Sequence, residues 1–202
     1  MLDIPDTKPF IESLFRPAAR RLARAKFTAN GVTVAGMALS LATGACALAA
    51  PGASWPLFFI VAMLLLRLAF NHIDGLLARE HDMETPLGLL LNETATPIED
   101  AALYLPLAAY PGMPAALIVA AVLVAAVAEI VGLGAVAAGA ERRRDGPMTK
   151  VARGLVFGGL ALALAVGIAP GPWVDIIIAL TIGLLVVTAL NRLGGAVVEV
   201  SL

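Results

Sequence analysis

Two short stretches hold the residues best suited to chemistry. The first is Asn71-His72-Ile73-Asp74-Gly75-Leu76-Leu77-Ala78-Arg79, and the second runs from Gly88 through Asn92, Glu93 and Thr96 to Asp100. At 3.6 residues per turn, Asn71, Asp74 and Ala78 share a helix face with Gly75, while Gly88, Asn92, Thr96 and Asp100 form a slowly drifting row. On two antiparallel helices these faces look at each other. Carboxylate, amide and hydroxyl oxygens are what hard cations such as Mg²⁺ take as ligands. Residues without bulk let a ligand touch the backbone, and an adjacent guanidinium handles phosphate charge. Taken singly, Gly75 and Ala78 read equally well as helix-packing residues, and Arg79 as a charge ending a span.

The elements that must position these residues follow from composition. Of 202 residues, 60% are hydrophobic and 14% charged, with a mean hydropathy of +0.91. A soluble domain carries roughly 45–50% apolar and 25% charged residues, and a disordered chain is less hydrophobic still. The expectation is therefore an all-α polytopic membrane protein. Six stretches approach the roughly 20 apolar residues a crossing needs, at about 31–50, 54–73, 86–109, 113–138, 152–169 and 173–193. The breaks after the second and fourth hold Arg79, Arg142, Arg143, Arg144, Lys150 and Arg153, whereas the other breaks carry no basic residue. With Lys8, Arg16, Arg20, Arg21, Arg24 and Lys26 before the first span and Arg192 after the last, thirteen of the fourteen lysines and arginines fall on one side. By the positive-inside rule that side is the cytoplasm and holds both termini. Arg67 alone is expected within a span.

Residues 7–26 place Phe10, Ile11, Leu14, Phe15, Ala18 and Leu22 opposite Arg16, Arg20 and Arg24, the pattern of an amphipathic helix on an anionic membrane surface. A solvated basic leader that only enforces topology is the alternative. The chain divides into residues 1–30, this interfacial helix, and 31–202, the six-helix transmembrane domain. Met1 to Asp6 carry acids and a proline where a secretory signal carries a basic segment. Gly36, Ser40 and Gly44, spaced by four, suit close helix packing. Cys46 is a small packed residue, and the net charge of −1 gives no nucleic-acid footprint.

Asp74-Gly75-x-x-Ala78-Arg79, eight further residues and then Gly88 resemble, without a gap, the signature of the CDP-alcohol phosphatidyltransferase family. Five fixed positions at fixed spacing arise by chance in roughly one chain in a thousand of this length. The resemblance implies a transfer of a phosphatidyl group from CDP-diacylglycerol to an alcohol or phosphorylated alcohol, with release of CMP, at an inner-membrane site facing the cytoplasm. It implies Mg²⁺ or Mn²⁺ held at Asp74, Asn71, Asn92 and Thr96, a cytidine nucleotide against Gly75, Ala78 and Arg79, and a homodimer. It extends to Asn30 and Thr33 as nucleotide contacts, with an N-cap role the alternative for that stretch. Asn71, Asn92 and Thr96 stand where the family pattern has aspartates, leaving one carboxylate of four. Glu93 and Asp100 are the acids that could compensate, as base or extra ligand. The rival reading, from another class, is an inactive relative that binds nucleotide or lipid or serves as an assembly subunit.

If Asp74 is level with Asn92 on antiparallel helices, residue numbers at one level sum to about 166, which sets Arg67 beside Glu99 and Asp100. Asp100 is then either a catalytic group or the partner that neutralises Arg67, and exchanging the two charges should restore folding that either single change loses. The loop holding Arg142, Arg143, Arg144 and Lys150 could bind the acceptor's polar head, or serve topology and lipid headgroups. Glu129, in mid-span, should face the bundle interior. His72 and His81 have no second His or Cys at ligand spacing.

Overall fold

The computed structural model describes residues 8–201, with side chains from residue 12 onward. Met1 to Asp6 and the side chains of Lys8, Phe10 and Ile11 lie outside the described residues. The chain forms α1 (Lys8–Arg24), α2 (Ala29–Ala49), α3 (Trp55–Glu80), α4 (Pro86–Tyr104) continued by a 3₁₀ segment (Leu105–Ala109), α5 (Ala115–Ala137), α6 (Lys150–Ala165) and α7 (Pro172–Val200). No strand occurs among the described residues.

Threonine caps start three of the helices at the end that matters for function. Thr28, Thr85 and Thr149 accept from the backbone N–H of Gly31, Gly88 and Ala152 at 3.1, 2.9 and 3.3 Å, each satisfying a donor that the first helical turn leaves free. The N-cap of α2 is thus Thr28, and Asn30 lies inside the helix.

Among the described residues four helices, α2, α3, α5 and α7, are long and apolar enough to cross a membrane. The other two stretches are interrupted. Pro106 has no N–H for the Ala102 carbonyl, so α4 gives way to a 3₁₀ segment at Leu105. That freed carbonyl points at α2, where a Cβ on Gly44 would sit 2.0 Å from it, and only glycine lets the two backbones approach so closely. Ser40 and Gly36, on the same face, are buried as well. Helix α6 has 16 residues, about 24 Å at 1.5 Å per residue. It ends in a Schellman turn at Gly167, whose φ of +89° favours glycine, with Ile168 and Gly167 N–H bonded to the Ala163 and Leu164 carbonyls.

The main core joins α3, α4, α5, α6 and α7 around Ile60, Leu103, Ile118, Phe157 and Ile178, with Tyr104 stacked on Phe157 at 4.1 Å. A smaller core seats α1 through Phe15, Ala18, Ala19 and Leu22 on Ile73, Leu76 and Leu77 of α3. Leu14 is not part of it and stays exposed. The distribution is that of a membrane protein. Leu65, Ile130 and Leu155 stand outside at 67, 67 and 71% exposure, while Arg67, Glu99, Asp100, Glu129, Arg153 and Arg192 are buried. Arg153 and Arg192, expected as flanking charges, therefore join Arg67 inside the bundle.

Candidate functional site

The facing ends of α2, α3 and α4 surround a cavity of about 560 Å³. Asn71, Asp74, Gly75, Ala78 and Arg79 form its α3 wall, Gly88 and Asn92 its α4 wall, and Asn30 and Thr33 its α2 side, with Arg144 and Lys150 closing from across the bundle. Of the two facing rows, Asn71, Asp74, Gly75 and Ala78 thus meet Gly88 and Asn92 as helix periodicity expects, while Thr96 and Asp100, further along the α4 row, lie outside this cavity. Asp74 is 9% exposed and accepts a hydrogen bond from the Thr33 hydroxyl at 2.8 Å. Thr33 therefore orients the carboxylate, a link that residues 41 apart do not advertise in sequence.

Small residues act here through close approach. A Cβ on Gly88 would lie 2.4 Å from the Asn30 amide oxygen, and Asn30 donates to the Thr85 hydroxyl at 3.1 Å, so α2 and α4 are locked at the cavity rim. A Cβ on Gly75 would lie 3.1 Å from an Arg79 guanidinium nitrogen. Arg79 also donates to Glu12 of α1 at 2.9 Å, and Arg16 meets Glu80 at 2.8 Å. The Arg16 guanidinium is held above its ordinary value by the Glu80 hydrogen bond and charge. His72 stacks on Phe15, 5.4 Å away, and serves packing.

A second cavity of about 320 Å³ opens beside the first and shares Asn92, Arg144 and Lys150 with it. Its wall adds Glu93, Thr96, Glu129, Arg142 and Arg192, so Glu93 and Thr96 belong here and not with Asp74. Arg142 is paired with Glu93, and Arg144 lies 3.7 Å from the same carboxylate. Burial lowers the Arg142 guanidinium, but the hydrogen bonds and charges of Glu93 and Glu129 outweigh it and hold the group above its ordinary value. Arg143 lines neither cavity. It packs where Gly195 leaves room and pairs with Glu199 at 3.7 Å.

Asp100 also lines neither cavity. Arg67 reaches it at 2.5 Å and Arg153 at 2.8 Å, and Arg67 also meets Glu99 at 2.6 Å, as the level arithmetic expects. Arg153 continues to Glu129 at 2.9 Å, and Glu129 to Arg192 and Arg142 at 3.3 Å each. The partners of Glu129 escape sequence reasoning because Arg153 and Arg192 look like ordinary charges ending spans.

Donor chemistry sets what metal this site suits. Asp74 is the one buried carboxylate on the first cavity's wall, with Glu84 exposed at its rim. Among the described residues no three His, Cys, Asp or Glu side chains come together to hold a metal ion. Mg²⁺ keeps several waters and is commonly held by one or two carboxylates plus substrate phosphates. Asp74 with the Asn71 and Asn92 amides suits one such ion and falls short of two, whose charge of +4 it cannot offset.

Comparison with known proteins gives two kinds of likeness. The chain is 37% identical over 187 residues to the inner membrane protein YnbA of Escherichia coli (strain K12), covering 92% of each. In fold it resembles phosphatidylinositol phosphate synthase of Mycobacterium tuberculosis. The crystal structure of that enzyme with CDP-DAG bound superposes with a TM-score of 0.75 at 22% identity, over 91% of this chain and 94% of that one. Its complex with manganese and citrate gives 0.74 at 22% identity, over 90 and 88%. No protein-family model matches the chain.

Proposed function

We propose that this chain, which belongs to the family of the inner membrane protein YnbA, is a CDP-alcohol phosphatidyltransferase that moves a phosphatidyl group from CDP-diacylglycerol to an alcohol and releases CMP. The observation that carries this reading is the single cavity that gathers Asp74, Gly75, Ala78, Arg79 and Gly88, in a fold shared with an enzyme crystallised with CDP-DAG. In this reading residues 1–30 carry the interfacial helix and residues 31–202 cross an inner membrane six times, with α4 plus its 3₁₀ extension and with α6 as the two shorter crossings. Both termini are cytoplasmic and the protein is a homodimer.

The nucleotide occupies the 560 Å³ cavity against Gly75 and Ala78, with Arg79 at its phosphates and Asn30 and Thr33 on the α2 side. Asp74, supported by Asn71 and Asn92, would hold a Mg²⁺ or Mn²⁺ ion, which when bound supplies charge neutralisation to the diphosphate. The acceptor enters the neighbouring cavity, where Arg142 and Arg144 face its polar head and Thr96 lines the wall. Its hydroxyl oxygen forms a bond to the phosphatidyl phosphorus as the bond from that phosphorus to the bridging oxygen of CMP breaks. Glu93, on that same wall, accepts the hydroxyl proton once the acceptor's polar head draws Arg142 and Arg144 away from its carboxylate. Asp100 is held between two guanidinium groups and serves as a positioning residue.

The test is CMP release by purified protein given CDP-diacylglycerol, Mg²⁺ or Mn²⁺, and a panel of polyols and polyol phosphates. Release abolished by Asp74→Ala supports the enzyme. The single buried carboxylate at the cavity favours one rival, a nucleotide- or lipid-binding or assembly subunit, and binding of CDP-diacylglycerol with no release from any acceptor would decide for it.

A further inference from the structure

One cation at the site is set apart by its lack of a carboxylate. Arg79, Arg142, Arg143, Arg144, Arg153 and Arg192 each lie within 4.0 Å of an acid. Lys150 is half-buried and forms no ion pair or side-chain hydrogen bond among the described residues. It lines both polar cavities and a third, apolar pocket beside Arg67 and Asn71. Its position is fixed at the first turn of α6, where Thr149 caps the helix. An ammonium held partly out of water without a counter-ion costs free energy that an arriving anion would recover.

Across the same cavity the acids have been thinned to Asp74 in the wall and Glu84 at the rim. A diphosphate placed between Asp74 and Lys150 would find one carboxylate able to carry a divalent ion and one fixed positive charge. Resting on the reading above, we infer that Lys150 supplies to the diphosphate the charge that a second divalent cation would otherwise bring, so that the loaded site holds one metal ion per chain. Asn71 and Asn92 are then consistent with the lysine: two more carboxylates would call for a second ion where the ammonium already stands. Transfer itself leaves Lys150 protonated, since the acceptor's proton goes to Glu93.

The experiment counts ions and measures affinity separately. Purified full-length protein in nanodiscs, saturated with CDP-diacylglycerol, is titrated with Mn²⁺ and bound ion is read by electron paramagnetic resonance. One ion per chain is expected, and two would overturn the assignment. Lys150→Met should weaken CDP-diacylglycerol binding at saturating Mn²⁺ by at least about tenfold, the scale of a lost charge-assisted contact. Lys150→Arg, which keeps the charge and controls for folding, should stay within about threefold of the unchanged protein. Equal affinity of Lys150→Met and the unchanged protein would overturn the assignment. The variant Asn71→Asp, Asn92→Asp, with Lys150 kept, should still bind one Mn²⁺, and adding Lys150→Met should admit a second; two ions with Lys150 kept would overturn the assignment. If the unchanged protein fails to bind CDP-diacylglycerol with any divalent ion, the phosphatidyltransferase reading itself falls. Binding with two ions removes only the role given to Lys150.

Discussion

Asp74 and Asp100 stand on facing helices, both buried, and are treated in opposite ways. Asp74 meets one neutral donor, the Thr33 hydroxyl, and looks into an open cavity. Asp100 meets two guanidinium groups and looks into none. The contrast extends to their surroundings. Around Asp74 the cavity wall carries amides, small side chains and the cations Arg79, Arg144 and Lys150, none of them ion-paired with it, whereas Asp100 begins a run of ion pairs through Arg153, Glu129 and Arg142 to Glu93. An acid matched by cations and sealed from every cavity, as Asp100 is, is a structural element, since no arriving ligand can compete for its partners. An acid matched only by a hydroxyl retains charge for something that arrives.

The sharpest way to break this contrast is to remove a cation from the matched side. Arg153→Met leaves Asp100 and Glu129 each short of a partner inside the bundle and should destabilise the protein by about 3–5 kcal/mol. Thermal unfolding in detergent measures it, and a wild-type melting temperature would show that the network does not hold the bundle. Next in size comes Asp74→Asn, which keeps shape and loses charge. It should lower CMP release by about 10²–10³-fold, the scale of losing one electrostatic stabiliser of a transition state, while leaving the melting temperature unchanged. Equal loss of activity and of stability would erase the distinction between the two aspartates. Smallest is Glu12→Gln, which removes one bond from α1 to Arg79, a guanidinium half open to solvent. Less than about 1 kcal/mol is expected, seen as earlier protease cleavage after α1, with CMP release retained.

Much of this was legible in the residues themselves. The 3.6-residue period placed the Asp74 and Asn92 faces together, and counting residues along antiparallel helices placed Arg67 beside Glu99 and Asp100. Charges near helix ends were less legible. Arg153 and Arg192 carry the residue type and position of ordinary flanking charges, yet α4, α5 and the segment between α5 and α6 supply acid and backbone oxygens that draw them inward: Arg153 reaches Asp100 and Glu129, and Arg192 donates to the Ala128 and Asp145 carbonyls at 2.7 and 3.1 Å. Sequence distance from a span's end does not encode that. The same omission changes one expectation. The level count alone has an exchange of the Arg67 and Asp100 charges restore folding, but an arginine at position 100 would face Arg153, so the double variant should unfold as readily as either single one. The shortness of α6 is hidden for a related reason, because hydropathy continues through Ile168 although Gly167 has already ended the helix.

The contacts that seat α1 carry a consequence for how the protein is made. Helix α1 leaves the ribosome before the helix it packs on, and its partners arrive late: Arg16 pairs with Glu80, 64 residues on, and Glu12 with Arg79, 67 residues on. The helix can therefore dock only after the hairpin of α2 and α3 has been threaded into the bilayer. Until then the face that packs on α3 is uncovered, while Arg20 and Arg24 stay exposed before and after docking. Synthesised before α2 and α3, it is fastened only after both, and it closes beside a cavity whose α2 and α3 walls are already standing.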